Sequence, residues 1–317
     1  MTIFAPTPAN IDAAARILRA GGLVGMPTET VYGLAADATQ GRAVAAIYEA
    51  KGRPRFNPLI VHVGALEHAA QLAELGPLAR RLAEAFWPGP LTLVLRARTG
   101  NAIADLATAG LDTIALRVPG HPVSRALIEA AGCPLAAPSA NTSGRISPTT
   151  AQHVAAEFGD TLGMILDGGP CGYGLESTII DATGVGLVLL RPGAIPVAEI
   201  GVTCGQRVAR RAADPDSPIA PGQLLSHYAP RAAVRLQAVD VRAGEALLAF
   251  GPDAPLPRGP MINLSPRGDL VEAAQALFAA LRTLDASGAG TIAVMPIPGH
   301  GLGEAINDRL TRAAAVR

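Results

Sequence analysis

The sequence has 317 residues, of which 49% are hydrophobic and only 3% are aromatic. This length and composition predict about two domains, with cores filled mainly by alanine, leucine, valine and isoleucine. Lysine plus arginine and aspartate plus glutamate each number 26. The resulting zero net charge excludes a global field that would attract nucleic acid or an anionic membrane.

Two sequence features bear on the compartment. The three cysteines, Cys133, Cys171 and Cys204, are far apart, which argues against a zinc ribbon or a disulfide framework. The N-terminal residues lack a basic segment followed by an apolar run, and no run of about 18 apolar residues is free of glycine, proline and charge. We therefore expect a soluble, cytoplasmic protein that does not enter a membrane.

Hydrophobic periodicity predicts an α/β domain over residues 1–205. The predicted elements are a helix over Ile11–Ala20 capped by Asn10, a strand over Leu23–Met26, a helix ending at Gly52, a strand over Leu59–Val63, helices over Leu66–Leu75 and Leu78–Phe86, strands over Leu91–Arg96 and Thr113–Val118, helices over Val123–Ala131 and Thr150–Phe158, and strands over Met164–Asp167, Ser177–Asp181 and Leu187–Leu190. Because some strands follow one another without a helix, the sheet is predicted to be mixed and twisted.

The texture of the chain changes after Gly205. Residues 206–230 contain four prolines and little periodicity, which predicts a proline-stiffened linker without secondary structure. Residues 231–317 then predict a small Rossmann-like α/β domain. Its elements are strands over Ala233–Leu236, Ala246–Phe250 and Met261–Leu264, a helix over Asp269–Asp285, a strand over Thr291–Met295 and a helix over Leu302–Ala314.

Lys51 is the only lysine in the chain and lies in Lys51-Gly52-Arg53-Pro54-Arg55. A lysine at a helix end can simply neutralise the last carbonyls, but an arginine would serve equally well there. A compact ammonium is better suited to a phosphate oxygen. We interpret Lys51 as a phosphate contact, which predicts that Lys51→Ala lowers activity and leaves folding nearly unchanged.

Other polar residues occur where predicted strands become loops, which is where α/β sheets bind ligands. They include Thr28-Glu29-Thr30, His62 within an apolar strand, Thr113 and Arg117, the loop from Ala137 to Gly144, Ser147, Ser177 and Arg191. Taken singly, each has a structural explanation, such as a buried histidine with partners or a serine-rich turn. Walker A, G-x-S-x-G, H-E-x-x-H and EF-hand motifs are absent from the sequence.

The combination of Lys51-x-Arg53 and Ser139-x-Asn141 with PTETVYGL, NPLIVHV, LESTIID and LLRPG resembles the YrdC-type threonylcarbamoyl-AMP synthases. NLSPRGDL and GLGEAINDRLTRAA resemble the C-terminal accessory domain of their two-domain form. The resemblance implies a YrdC-like catalytic domain and a nucleotidyltransferase. Its reaction converts L-threonine, bicarbonate and ATP into threonylcarbamoyl-AMP and pyrophosphate. A separate transferase complex then uses the adenylate to modify an adenosine next to the tRNA anticodon.

The resemblance also implies roles for individual residues. Those implied on the ATP side are Lys51, Arg53, Asn57, Thr113, Ser139, Ser147, Arg191 and Tyr228. Those implied on the threonine side are Thr30, His62, Arg117, Ala137 and Ser177, with Arg117 pairing with the threonine carboxylate. Catalysis would rest on Lys51, Arg53, Ser139 and Asn141. Mg²⁺ would arrive with ATP and be held by phosphates and water, without a cage of protein carboxylates.

One departure and two alternatives qualify this expectation. The family linker often carries a basic residue before His-Tyr, whereas this chain has Gln223-Leu224-Leu225 in that region, so a charge contact from the linker is in doubt. Residues 220–230 are nevertheless predicted to fold over the pocket, with Tyr228 on the nucleotide. The alternatives are an RNA-binding module without catalysis and a carbamoyl-phosphate-using carbamoyltransferase. Direct tRNA binding stays open.

Overall fold

A computed structural model describes residues 2–210, 220–222, 226–255 and 259–315. Among these residues, eleven strands form one sheet in the order β1-β8-β2-β3-β7-β4-β6-β5-β9-β10-β11. The strands are β1 (Ile3–Phe4), β2 (Val24–Met26), β3 (Gly33–Asp37), β4 (Ile60–His62), β5 (Leu91–Arg96), β6 (Thr113–Arg117), β7 (Leu135–Ala136), β8 (Ile165–Leu166), β9 (Thr178–Asp181), β10 (Val188–Arg191) and β11 (Ala209–Arg210).

Helices cover this sheet and close its core. They are α1 (Pro8–Arg19), α2 (Gly41–Lys51), α3 (Leu66–Leu72), α4 (Pro77–Phe86), α5 (Asp105–Thr108), α6 (Pro122–Ala131), α7 (Ala151–Phe158) and α8 (Val197–Cys204). The prediction of Asn10 as the first cap is wrong. Thr7 is the N-cap of α1, because its side chain accepts a hydrogen bond from the Asn10 backbone N–H and Pro8 then fits the first turn.

The prediction of a mixed sheet is confirmed. Strand β4 pairs with β6 in parallel, whereas β5 pairs with β6 in antiparallel orientation and with β9 in parallel. Consequently the C-terminal ends of β4 and β6 lie side by side, and the start of β9 lies at the same edge of the sheet beyond β5. This arrangement brings His62 and Arg117, which end β4 and β6, close to Ser177, which precedes β9.

Strand β3 lies within a stretch that the sequence analysis treats as a loop and the approach to a helix. Its five residues are all buried, so they show none of the polar–apolar alternation that marks a half-exposed strand. Gly33 begins it, and a Cβ there would lie 3.1 Å from the Ala137 Cβ. The absence of a side chain therefore allows β3 to pack closely against the loop that follows β7.

The second sheet has four described strands in the order β12-β15-β13-β14, all paired in parallel. They are β12 (Ala233–Arg235), β13 (Glu245–Ala249), β14 (Met261–Asn263) and β15 (Thr291–Val294), with α9 (Leu270–Ala286) and α10 (Leu302–Ala314). The predicted Rossmann-like second sheet is therefore present. None of the described helices combines the length and the apolar character needed to cross a bilayer.

The predicted linker is only partly described. Residues 211–219 and Gln223-Leu224-Leu225 lie outside the described residues. The prediction that residues 206–230 lack secondary structure is wrong at one end, since β11 pairs in parallel with β10 and extends the first sheet. The boundaries 1–205, 206–230 and 231–317 stay predictions. The two sheets share one apolar cluster, in which Val31, Ile146 and Tyr228 pack with Phe278 and other residues of the second.

Candidate active site

One pocket collects residues from both predicted substrate groups. Its walls are formed by Thr28, Thr30, Val31, Gly33, Arg53, Ile60, His62, Arg117, Ala137, Pro138, Ser139, Glu176, Ser177, Arg191, Pro221, Gly222, His227 and Tyr228. All five residues predicted for threonine lie there, together with Arg53, Ser139, Arg191 and Tyr228 from the ATP group. The pocket is therefore polar, cationic and lined largely by buried side chains.

The other predicted residues lie behind or beside this wall. Lys51, Asn57, Asn141 and Ser147 are buried, and each is within a residue or a hydrogen bond of the lining residues. Thr113 does not line the pocket. It begins β6, two positions before Ala115, whose side chain packs in an apolar cluster with Ile60 and Ile179.

Lys51 is the last residue of α2, which ends at Gly52 in the left-handed conformation with φ of 57°. Its Nζ donates to the Ser139 carbonyl at 2.6 Å and to the Asn141 carbonyl. The Ser143 N–H donates in return to the Lys51 carbonyl at 2.8 Å. Burial, and secondarily the charge of Arg53, lower the pKa of Lys51 well below its usual value. The lysine thus fixes the Ser139-x-Asn141 loop to the end of α2.

Arg53 turns back onto the chain that follows it. Its Nε donates to the Asn57 carbonyl at 3.3 Å and its Nη2 to the Pro58 carbonyl at 3.0 Å. Burial lowers the Arg53 pKa to about 10. This value is still well above 7, so the guanidinium is charged at neutral pH. The Asn57 side-chain amide is buried, and neither its Nδ2 nor its Oδ1 has a hydrogen-bond partner among the described residues.

Arg117 ends β6 beside His62, its parallel partner on β4. Its Nη2 is 2.5 Å from Glu29 Oε1, its Nη1 donates to Thr30 Oγ1 at 3.0 Å, and its Nε donates to the Gly89 carbonyl at 3.2 Å. Burial alone would raise the Glu29 pKa, but the charge and hydrogen bond of Arg117 outweigh it and lower that pKa. Arg117, which is predicted to bind the threonine carboxylate, is therefore already paired with Glu29 in a buried ion pair.

His62 faces the same region and stays neutral. Burial, and then the charge of Arg117, lower its pKa to about 3. Its side chain is 2% exposed, and its Nδ1 has no hydrogen-bond partner among the described residues. A neutral imidazole here can accept or donate one hydrogen bond without adding a second positive charge beside Arg117.

The opposite wall is built from β9 and β10. Arg191 Nη2 donates to the Ser177 carbonyl at 2.9 Å and to Ser177 Oγ at 3.1 Å. Ser177 Oγ is in turn 2.7 Å from Thr92 Oγ1 on β5. Gly193 follows directly, and a Cβ there would lie 2.4 Å from the Thr178 nitrogen, so this return of the chain requires glycine.

The described part of the predicted linker lies against this wall. Pro221, Gly222, His227 and Tyr228 all line the pocket. Gly222 has φ of 85°, and a Cβ there would lie 2.8 Å from Arg191 Cδ. Burial lowers the pKa of His227 to about 3, so this imidazole is also neutral. These contacts fix where the segment lies; whether it opens and closes stays a prediction.

Three further residues, to which the sequence assigns no role, lie at the site. Glu29 pairs with Arg117, Glu176 accepts a hydrogen bond from Ser147 Oγ at 2.5 Å, and Arg309 of α10 reaches Glu176 at 2.8 Å. Glu29 and Glu176 are each next to a predicted site residue in the sequence, and this adjacency is the signal that could have identified them. Arg309 lies on an ordinary amphipathic helix of the second sheet, and no local pattern marks it.

The fold and the pocket together define an α/β protein with a pocket lined by arginines, and a small second α/β domain packs against it. A family model described as telomere recombination, covering the Sua5, YciO and YrdC proteins, matches residues 16–193. A model described as threonylcarbamoyl-AMP synthase, C-terminal domain, matches residues 195–315. The chain belongs to the Sua5/YciO/YrdC family.

Curated relatives and a solved structure are similar to this chain over nearly its whole length. The threonylcarbamoyl-AMP synthase of Pyrococcus abyssi is 42% identical over 97% of this chain and 95% of its own length. That of Bacillus subtilis is 40% identical over 97% of this chain and 94% of its own length. The crystal structure of P. abyssi Sua5 complexed with L-threonine superposes with a TM-score of 0.91 at 38% identity, covering 99% of this chain and 96% of that one.

Proposed function

We propose that this protein is an L-threonylcarbamoyl-AMP synthase, an enzyme that converts L-threonine, bicarbonate and ATP into the adenylate and pyrophosphate. One observation carries the proposal: a single pocket brings Arg53, Ser139 and Arg191 together with Arg117 and Ser177. Such a site can hold two different anions close enough to react. The named relatives, similar over nearly the full length, support the same chemistry.

The reaction needs positioning more than a protein nucleophile. The threonine amine combines with CO₂ derived from bicarbonate to give a carbamate. A carbamate oxygen then attacks the α-phosphorus of ATP, and the bond to the β-phosphate oxygen breaks to release pyrophosphate. No covalent enzyme intermediate forms, so the enzyme contributes charge stabilisation and orientation.

The threonine side centres on Arg117. A guanidinium has five N–H donors, and three of its donor contacts are to Glu29, Thr30 and Gly89. The remaining N–H groups can donate to the threonine carboxylate, with the Thr30 and Ser177 hydroxyls as further partners. Neutral His62 adds a hydrogen-bonding group without repelling the ammonium of the incoming amino acid.

The ATP side centres on the cations held by carbonyl oxygens. Lys51 donates to Ser139 and Asn141, and an ammonium retains one further donor for a phosphate oxygen. Arg53 and Arg191 are similarly held by backbone carbonyls, so they keep their full charge for the phosphates. These cations would stabilise charge on the α-phosphoryl group and the departing pyrophosphate.

We propose that Mg²⁺ enters with ATP, held mainly by phosphates and water. Among the described residues, no group of three or more His, Cys, Asp or Glu side chains is arranged to hold a metal ion. The Asn141 amide fits an indirect role: its Nδ2 donates to the Thr142 and Arg145 carbonyls, and its buried Oδ1 has no partner in the described chain. That oxygen could accept from a metal-bound water.

We further propose a cytoplasmic enzyme that passes its adenylate to a separate transferase, which modifies an adenosine beside the tRNA anticodon. The zero net charge gives no general attraction for tRNA. A pure RNA-binding module would not need the buried cation cluster. A carbamoyl-phosphate-using enzyme of the hydrogenase-maturation kind would carry cysteine-rich zinc modules, and three scattered cysteines do not build one.

The test is pyrophosphate release measured with each substrate omitted in turn. The proposed function requires release that depends on threonine, bicarbonate and ATP together, with the adenylate as the second product. A pure binder would release none. Activity with carbamoyl phosphate in place of bicarbonate and threonine would favour the carbamoyltransferase and contradict the proposal.

A further inference from the structure

Arg309 is the largest of the fully buried side chains, and it belongs to the second sheet's helix α10. Its Nε is 2.8 Å from Glu176 Oε2, and its Nη1 is 2.7 Å from Asp308 Oδ2. A buried guanidinium is costly to desolvate, so it persists only where partners hold it. Apolar contacts between the sheets are already present, and joining two domains does not itself require this arginine.

Glu176 relays this contact to the pocket. One carboxylate oxygen accepts from Arg309, and the other accepts from Ser147 Oγ at 2.5 Å. Burial disfavours the Glu176 carboxylate, but the charges of Arg309 and Arg191 prevail and lower its pKa. Glu176 is therefore ionised and immobilised between an arginine of the second domain and a serine of the first.

Tyr228 receives a second contact from the same arginine. Arg309 Cζ lies 5.1 Å from the centre of the Tyr228 ring, within the range of a cation–π interaction. The ring also stacks on Phe278 of α9, with centroids 5.6 Å apart. Because Tyr228 has φ of 61°, which is unusual for a residue with a side chain, these contacts stabilise a backbone that would otherwise be strained.

The second domain also fixes the loop before Ser147. Arg282 of α9 donates to the Ile146 carbonyl and pairs with Glu157 at 3.0 Å. Glu157 accepts from the Thr142 N–H and hydroxyl at 3.1 and 3.0 Å. The loop that carries Asn141 and Ser147 is thus held by arginines of the second domain at more than one point.

We propose that Arg309 is a positioning residue for the ATP side of the synthase site, acting through Glu176 on Ser147 and directly on Tyr228. The inference rests on the proposed function and gives the second domain a role in it: its helix α10 completes the nucleotide half of the pocket. Within the described part of the chain, Arg309 makes no hydrogen bond or ion pair with Arg117 or His62, so the affinity for threonine should change little.

The test compares three variants of the full chain. Arg309→Met removes the charge and leaves Glu176 unpaired, which can impair folding. The double variant Arg309→Met/Glu176→Gln removes that unpaired carboxylate and should restore the melting temperature. Arg210→Ala is the matched control, because Arg210 pairs with Glu304 on the same helix at an exposed position between the two sheets.

Binding of an ATP analogue with a methylene group between the α- and β-phosphorus is measured by calorimetry, and turnover by pyrophosphate release. We expect the double variant to bind the analogue about 10- to 100-fold more weakly, as loss of a charge-assisted contact implies. Its KM for threonine should change less than threefold, and Arg210→Ala should match the wild type.

Two results would overturn the inference: wild-type affinity for the analogue in the folded double variant, or equal losses for ATP and threonine. Arg309→Lys gives a further check, since a lysine that keeps the charge should recover part of the affinity. Failure of the proposed function would appear differently, as wild-type protein that binds no nucleotide or releases no pyrophosphate.

Discussion

Substituting Lys51 by methionine should lower both the free energy of unfolding and the catalytic activity. The structure allows the size of each effect to be worked out separately. Lys51 is 1% exposed, and its Nζ donates to the Ser139 and Asn141 carbonyls. The Ser139 carbonyl also accepts from the Asn141 N–H at 3.0 Å, whereas the Asn141 carbonyl loses the donor the structure gives it. An unsatisfied buried carbonyl costs about 1–3 kcal/mol, and relief of the ammonium's desolvation offsets part of this.

We therefore expect the free energy of unfolding to fall by about 2 kcal/mol, measured by urea denaturation. This differs from the sequence-based prediction that Lys51→Ala would leave folding nearly unchanged. That prediction considered Lys51 only as a phosphate contact, whereas the structure shows it buried and bonded to the Ser139-x-Asn141 loop. Both roles are compatible, because an ammonium has three donors.

Activity should fall further than stability alone explains. A charge-assisted hydrogen bond to phosphate is worth about 1.5–3 kcal/mol, or roughly 10- to 150-fold in rate. Arg55→Met is the control, because Arg55 belongs to the same basic stretch but is exposed. Lys51→Arg should not restore the full rate, since its fork does not fit a point-charge site. Normal turnover by a folded Lys51→Met protein would refute the reasoning.

Three further predictions concern the pocket walls. Arg117→Ala should raise the KM for threonine far more than the KM for ATP, and equal changes in the two KM values would contradict this. Adding Glu29→Gln removes the buried carboxylate that Arg117→Ala leaves unpaired, so the double variant should recover stability but not threonine affinity. Tyr228→Ala should weaken ATP binding. In the wild type, ATP with threonine should slow proteolytic cleavage between the domains. Equal cleavage rates with and without these ligands would mean that residues 220–230 only tether the domains. His62 and His227, with pKa values lowered to about 3, bind protons on unfolding but not when folded. The free energy of unfolding should therefore decline as pH falls below about 6.5, by up to about 1.4 kcal/mol per pH unit for each histidine. In His227→Gln this decline should be less steep, as measured by urea titrations at several pH values.

Local signals were sufficient for most elements of the fold. Leu91–Arg96 and Leu302–Ala314 have the bounds that periodicity predicts. Asp269 caps α9 just before the predicted apolar stripe, with its side chain accepting from the Val271 and Glu272 N–H groups. Such features depend on neighbouring residues in the sequence, so the sequence contains them directly.

Several of the strands that periodicity missed are fixed by tertiary contacts. Strands β3 and β7 are fully buried, and β7 has only two residues, Leu135–Ala136. Neither offers alternation or a turn signal of its own. Strand β11 exists because Ala209–Arg210 lies beside β10, although its own side chains are exposed. Pairing partners decided these three strands, and pairing is not visible in a local window.

The same division applies to the site. Residues at predicted strand ends, such as His62 and Arg117, met as expected once the strands lay side by side. Their charge partners could not be predicted, because an ion pair between residues 133 positions apart, as between Glu176 and Arg309, has no local signature. An arginine on an amphipathic helix is ordinarily a solvent-facing residue, and only the packing of the second domain buries it.

The charges of the pocket are arranged differently on its two sides, and the difference matches the two substrates. On the threonine side, Arg117 is paired with Glu29, so the local charge is balanced. A zwitterionic amino acid complements such a pair, because it brings one charge of each sign. On the proposed ATP side, Lys51, Arg53 and Arg191 donate to neutral carbonyl oxygens and form no ion pair with a carboxylate among the described residues. A polyphosphate complements cations that are not held in an ion pair. Since Arg53, Arg191 and Arg117 all line one pocket, the difference in ion pairing gives the proposed site a way to distinguish its two substrates by charge.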